Sequence, residues 1–158
     1  MSTRAQALAT RFEQANADVI RAVEPLSDAQ WGAKTAEEGW TVGVVAHHIA
    51  QSHQGVAGLA EIVASGKPVP SITWDVIHQG NASHARDHAH CTKAETLALL
   101  RDNGAAAAKL VRGLSDQQLD RSASVIGNTM SAGQVVEHIL IGHPQGHLAS
   151  IKAALKLP

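Results

Sequence analysis

The sequence predicts an all-α protein, a four-helix bundle with short connecting helices, and three observations carry that prediction. Apolar residues recur at intervals of three and four along several long segments. Alanine is abundant while tyrosine is absent and phenylalanine occurs once. Ser and Thr residues stand where they can cap the starts of those segments. The spacing is that of amphipathic helices, and the composition disfavours strands, which draw on β-branched and aromatic side chains. A chain of 158 residues, read as one domain over 1–158, is long enough to bury a core without disulfides.

The first helix is expected from Ala5 to Glu24, where Leu8, Phe12, Ala15, Val19 and Val23 share a face and Pro25 ends the run. Leu26-Ser27-Asp28-Ala29-Gln30-Trp31 then reads as a short capped turn, with Gly32 to Gly39 polar and irregular. A second helix starts near Trp40-Thr41, with Thr41 as its N-cap, and ends at Gly66 ahead of the Lys67-Pro68-Val69-Pro70 loop. On its wheel Val42, Val45, Ile49, Val56 and Leu59 form one stripe. His48 lies about 70° from the stripe's centre and can look inward, whereas His47 lies almost opposite and should see water.

Trp74 to Ala89 is polar all round and carries Ile77, His78, His84 and His88, with His90 just beyond. His84 and His88 are four apart, but a solvated helix or ordered loop accounts for the segment. Thr92-Lys93-Ala94-Glu95 has the pattern of a capping box and opens a helix running through Leu97, Leu100, Ala107 and Leu110 to Arg112, with Gly113 stopping it. The chain then echoes itself. Leu114-Ser115-Asp116-Gln117-Gln118-Leu119 repeats the pattern that starts at Leu26, and Ser131 to Ile139 repeats Thr41 to Ile49. Either two similar halves pack as four helices around one core, or helix starts reuse one capping vocabulary.

In the last helix, which contains Gly142, Pro144 and Gly146, Pro144 removes a backbone donor and presses on the carbonyl of Leu140, so a kink is expected. On the wheel His143 and His147 share the face of Val136, Ile139 and Leu140, while His138 falls about 130° away.

Charge and composition exclude several function classes. A net charge of −1 without Lys/Arg clusters leaves no footprint for nucleic acid or a membrane surface. The opening Met1-Ser2-Thr3-Arg4-Ala5-Gln6 has no apolar leader, and no run approaches membrane-spanning length. The single Cys91 cannot form an internal bridge. A reduced, cytoplasmic protein acting on small molecules or pairing with its own copy is the expectation.

Ten histidines stand beside 13 Lys+Arg and 14 Asp+Glu, and two of them suggest chemistry. His143 and His147 are separated by about 40° around a helix, so both imidazoles can address one divalent ion, with His48 from a facing helix as third ligand. Without other information, His143 and His147 are equally readable as ordinary buried histidines. Three neutral ligands leave a coordination position open and the ion's charge uncancelled, which acidifies a bound water or thiol. A structural site would more often have four ligands, and Cys91 alone cannot complete one. Pro144 occupies the place of the glutamate in the His-Glu-x-x-His protease motif, which excludes that class.

Gly39-Trp40-Thr41-Val42, then His48 eight positions after the tryptophan, then His143-x-x-x-His147 near the C-terminal end together resemble the DinB-like and YfiT-like family across the chain from Leu8 onward. The resemblance implies an up-down-down-up four-helix bundle, frequently a homodimer, with His48, His143 and His147 holding a divalent metal, often zinc or nickel. It also implies one of several activities: a thiol-dependent transferase or isomerase using a low-molecular-weight thiol, or a metal-dependent hydrolase. The alternative is a non-catalytic, stress-related or small-molecule-binding bundle whose site is empty or structural. Pro144 and Gly146 depart from the helix formers usual between the ligands. No catalytic base is identified; Glu137 and Glu61 are the only candidates, and both read better as surface groups.

Overall fold

Four long helical segments frame the molecule, and the polar contacts between them set their directions. The computed structural model describes residues 2–158; of the opening stretch, Met1 lies outside the described residues. α1 spans Thr3–Val23, the short α2 spans Asp28–Trp31, α3 spans Val42–Ser65, α4 spans Trp74–Asp87, α5 spans Lys93–Arg112 and the short α6 spans Asp116–Asp120. A hairpin follows, β1 at Ser122–Val125 and β2 at Asn128–Ser131. The last segment is one helical run in three parts: α7 at Ala132–Gln134, a π-helical stretch at Val135–Ile141 and α8 at Gly142–Leu155.

Arg112 pairs with Glu13 and Arg101 with Glu24, so α1 and α5 run antiparallel. Asn103 Nδ2 donates to the Ala50 carbonyl at 2.9 Å while Lys93, at the start of α5, reaches Leu26 near the start of α3. α3 and α5 are therefore parallel. Arg11 meets Glu137, and Arg21 and Lys152 border the same hollow, which makes the final run parallel to α1. The resulting order is up, down, down, up, as the family resemblance implies. α5 packs on α1 and α3 from one side, and the final run packs on both from the other.

The core has two apolar layers. Phe12, Val111, Leu119 and Leu140 lie in one, and Val19, Val45, Leu100 and Ile151 in the other. Between them runs a polar seam whose bonds are complete: His53 Nε2 donates to Asn16 Oδ1 at 2.8 Å, and Asn16 Nδ2 donates to the Leu100 carbonyl at 2.8 Å. Gly104 makes this seam possible, because a Cβ there would stand 2.3 Å from Asn16 Nδ2.

The two echoing segments build the same local structure. Ser27 and Ser115 both close capping boxes, with Gln30 and Gln118. Each short helix is followed by an antiparallel contact, a single bridge between Lys34 and Thr41 or the β1–β2 hairpin, and then by a long capped helix. The hairpin is an addition to the all-helical expectation. It turns on Ile126-Gly127, both at positive φ, the geometry of a tight two-residue turn. Thr92 accepts from the Glu95 amide, but only that half of the expected box forms.

Just before Pro144 the run winds as a π-helix over Val135–Ile141. Its wider turns end at Ile141, just ahead of Pro144, whose ring would press on the carbonyl of Leu140 in regular α winding. Pro144 is buried and the run continues to Leu155. Among the described residues no helix is long and apolar enough to cross a membrane.

Candidate metal centre

His48 lies one turn and a half into α3, and His143 and His147 lie on successive turns of α8. Thr41 starts α3 by accepting from the Val44 amide at 3.2 Å. The changeover from π to α winding just before Gly142 sets the face on which His143 and His147 emerge. The three rings meet: His48 Nε2 and His143 Nε2 are 3.0 Å apart, and His147 Nε2 and His143 Nε2 are 3.2 Å apart.

Two features of this contact fit a divalent ion. Tetrahedral zinc with nitrogens at 2.0–2.1 Å separates neighbouring ligand atoms by about 3.3 Å, close to both observed contacts. Hydrogen bonding among neutral imidazoles cannot satisfy the same contact. His143 Nε2 carries either one proton or one lone pair, so it cannot pair with both neighbours, one of which has its proton committed elsewhere.

That commitment comes from Glu38. His147 Nδ1 donates to Glu38 Oε1 at 2.6 Å, and Ser150 Oγ donates to Glu38 Oε2 at 2.6 Å. The proton on Nδ1 leaves the His147 Nε2 lone pair free for an ion, which is the usual way a carboxylate orients a histidine ligand. Burial alone would raise the Glu38 pKa, but hydrogen bonds from Ser150, Thr35 and His147 outweigh it and hold the group below its ordinary range. Glu38 reaches the site through the short loop closed by the Lys34–Thr41 bridge, in which Thr35 N donates to the Trp40 carbonyl at 2.9 Å. Gly39 turns that loop at φ +70°, a conformation costly for a residue with a Cβ.

The surroundings keep His48 and His143 neutral. Burial, reinforced by His147, depresses His48 to about 4; burial, reinforced by His147 and His48, depresses His143 to about 3. Both are therefore unprotonated near neutral pH. Trp40 closes one side by meeting the His48 ring edge-on at 5.4 Å between centroids. A hollow of about 210 Å³ opens beside His48 between α3 and α4, with Gln51, Ser52, Asn81 and His84 on its walls. A larger hollow of about 640 Å³, bordered by Asp18, Arg21, Leu148 and Lys152, contains none of the three histidines. The smaller one is the relevant space because His48, alone of the three, lines it.

The structure thus brings together the three residues singled out from sequence and corrects several others. His138 is exposed, as the wheel predicts, and so are His78 and His90. His47 does not see water: it is 2% exposed, because α4 lies across that face of α3 and covers it with His84 and His88. The segment from Trp74 is a helix with no fully buried residue, as a solvated helix would be, yet its His84 and His88 are half-buried against His47. Neither carboxylate considered as a base is at the centre. Glu137 is held by Arg11 at 2.7 Å, and Glu61 is exposed near Ser65 and Lys109, in the other half of the bundle. Glu38 is the acid that sequence reasoning missed. Cys91 is half-buried, its thiol pushed up mainly by burial, and it is not part of the cluster formed by His48, His143 and His147.

Comparison with known proteins agrees with this fold. The protein of Bacillus subtilis (strain 168) named "Putative metal-dependent hydrolase YfiT" is 30% identical over 115 residues, which cover 70% of this chain. The match spans 60% of that relative's own length. The solved structure of YfiT from Bacillus subtilis, described as having "an unusual four-helix bundle topology", superposes with a TM-score of 0.71 over 100% of this chain and 91% of that one. At 22% identity this likeness establishes the fold. The family model of the DinB superfamily matches residues 11–151, nearly the whole bundle. The chain belongs to the DinB superfamily.

Proposed function

We propose that this chain is a metal-dependent enzyme of the hydrolase type, with His48, His143 and His147 as ligands to a divalent ion, zinc or nickel, and the adjoining hollow as its substrate site. The observation that carries the reading is the convergence of three Nε2 atoms that protein hydrogen bonds alone cannot satisfy. The ion would supply Lewis acidity at the position that three ligands leave open.

The remaining work belongs to the chain. Glu38 and Ser150 hold the His147 ring in the tautomer that leaves Nε2 free. Trp40 fixes the His48 ring against rotation. Ser52 Oγ is committed to the His48 carbonyl at 2.7 Å, so Gln51 and Asn81 are the groups in the hollow free to orient a small polar substrate. The metal dependence and hydrolytic activity in the relative's name support this reading.

A second reading places a low-molecular-weight thiol in the open position, giving S-transfer or isomerisation instead of hydrolysis. Three neutral ligands favour it, because they leave the ion's charge available to an anionic sulfur nucleophile.

The two are separated by assaying metal-depleted and zinc- or nickel-reconstituted protein against small esters, amides and electrophiles, with and without added thiols. Turnover restored by metal without thiol supports hydrolysis. Turnover that also requires a thiol supports transfer. Metal-loaded protein inert under both conditions overturns both readings and leaves a binding bundle.

A further inference from the structure

Directly beside the first centre, on the other face of the same turn of α3, is a second cluster of three imidazoles. His47 comes from α3, and His84 and His88 come from the last turn of α4 and its C-cap. His47 Nδ1 and His84 Nε2 are 2.9 Å apart, the His47 and His88 rings stack at 4.1 Å between centroids, and one nitrogen from each ring lies within 4.8 Å of the other two.

The polar partners of these rings set them apart from ordinary buried histidines. His53 donates to Asn16, and His147 donates to Glu38. Among the described residues, His47 and His84 have no hydrogen-bond partner except each other, and His84 Nδ1 is buried with no partner at all. A structural histidine commits a ring nitrogen to a carbonyl or carboxylate; buried polar atoms without partners are rare in folded proteins. Here three rings converge with nitrogens uncommitted to the fold.

We infer that His47, His84 and His88 form a second site for a divalent transition-metal ion, so that the fully loaded chain holds two ions side by side. Imidazole donors select zinc, nickel or copper(II) over magnesium or calcium, which prefer oxygen. Asp87 beside His84 and Glu95 near His47 add negative charge to the surroundings. The sites are close neighbours: the His48 and His84 rings lie 5.4 Å apart between centroids, and both border the same hollow of about 210 Å³. A small ligand in that hollow would touch one histidine from each triad.

The site also ties α4 to the bundle. α4 has no fully buried residue, and His84 and His88 make its inward contacts with His47. An ion there would link a peripheral helix to α3 at the wall of the substrate hollow.

The test is a zinc titration of the metal-depleted full-length chain by calorimetry and elemental analysis. The parent, His88→Ala and His143→Ala proteins are compared, with circular dichroism as the folding control. The parent is expected to take up two equivalents. His88→Ala is expected to lose one and keep the other, and His143→Ala to lose the opposite one. A parent saturating at one equivalent that His143→Ala abolishes overturns the second site and leaves the first centre standing. A parent that takes up two equivalents with His88→Ala unchanged also overturns it. Should His88→Ala unfold, His84→Gln replaces it, with the same outcomes.

Discussion

The two histidine triads share residue type, number and neighbourhood, and they differ in what supports them. His48, His143 and His147 project from two bundle helices packed against each other, α8 also against α1, and a carboxylate in turn held by Ser150 orients one ring. His47, His84 and His88 bridge α3 and a peripheral helix, and no carboxylate or carbonyl holds any of their rings among the described residues. The first triad is pre-organised by the fold. The second depends on where α4 sits. The histidines in each set can converge; only the first has its geometry fixed before an ion arrives, so it should bind more tightly and tolerate changes at α4.

The largest expected effect comes from removing the shared contact of the first triad. His143 touches both other ligands, so His143→Ala should weaken zinc binding at that centre on the order of a thousandfold, about 4 kcal/mol, measured by competition with a chelator. An equal loss at the second triad would show that the two do not function separately.

A histidine outside both triads sharpens the comparison through pH. His53 is 1% exposed and burial depresses it to about 4. Its folded-state value lies below the unfolded value of about 6.5. Between those limits the unfolded chain binds a proton that the folded chain does not, so stability is full above about pH 6.5 and falls as pH drops toward 4. His53 alone should contribute about 3 kcal/mol of that loss. In urea unfolding at pH 7 and 4.5, His53→Gln should flatten the dependence by a large part of that amount, since glutamine can still donate to Asn16 without titrating. An unchanged slope would contradict the assignment.

Next in size is Glu38→Gln. It keeps the shape of the side chain but removes the charge that orients His147, and should cost 10–100-fold in affinity at the first centre, about 1.4–2.7 kcal/mol, with the second triad unaffected. The smallest effect belongs to α4. Thr73 caps it by accepting from the Val76 amide at 3.3 Å, so Thr73→Ala should cost about 1 kcal/mol locally. Hydrogen exchange should then quicken across α4 while α3 stays protected, and only the second triad should weaken.

What could be read from sequence follows the same division. His143 and His147 were legible because four residues make one helical turn, and His48 because it borders the stripe of Val45 and Ile49. His47 was misplaced for a definite reason. A wheel built on aliphatic side chains reports the face turned toward the bundle core, and α3 is buried on a further face by the polar α4, whose docking rests on histidines. Glu38 was invisible because a loop residue has no period; only the Lys34–Thr41 bridge and Gly39 bring it to His147. The hairpin escaped notice because two four-residue strands with serine, threonine and asparagine have little alternating signal. Pro144 pointed to an irregular last helix, but that the irregularity would be a π stretch ahead of it, with the run unbroken to Leu155, depends on packing around Leu140 and Ile141, which no local rule supplies.

Zinc-edge X-ray absorption on the chain loaded with one equivalent of zinc tests the central claim most directly. Coordination by three imidazole nitrogens at about 2.0–2.1 Å with no sulfur, retained in His88→Ala and lost in His143→Ala, is the predicted result. A zinc environment containing sulfur, or one unchanged when His143 is removed, would contradict it.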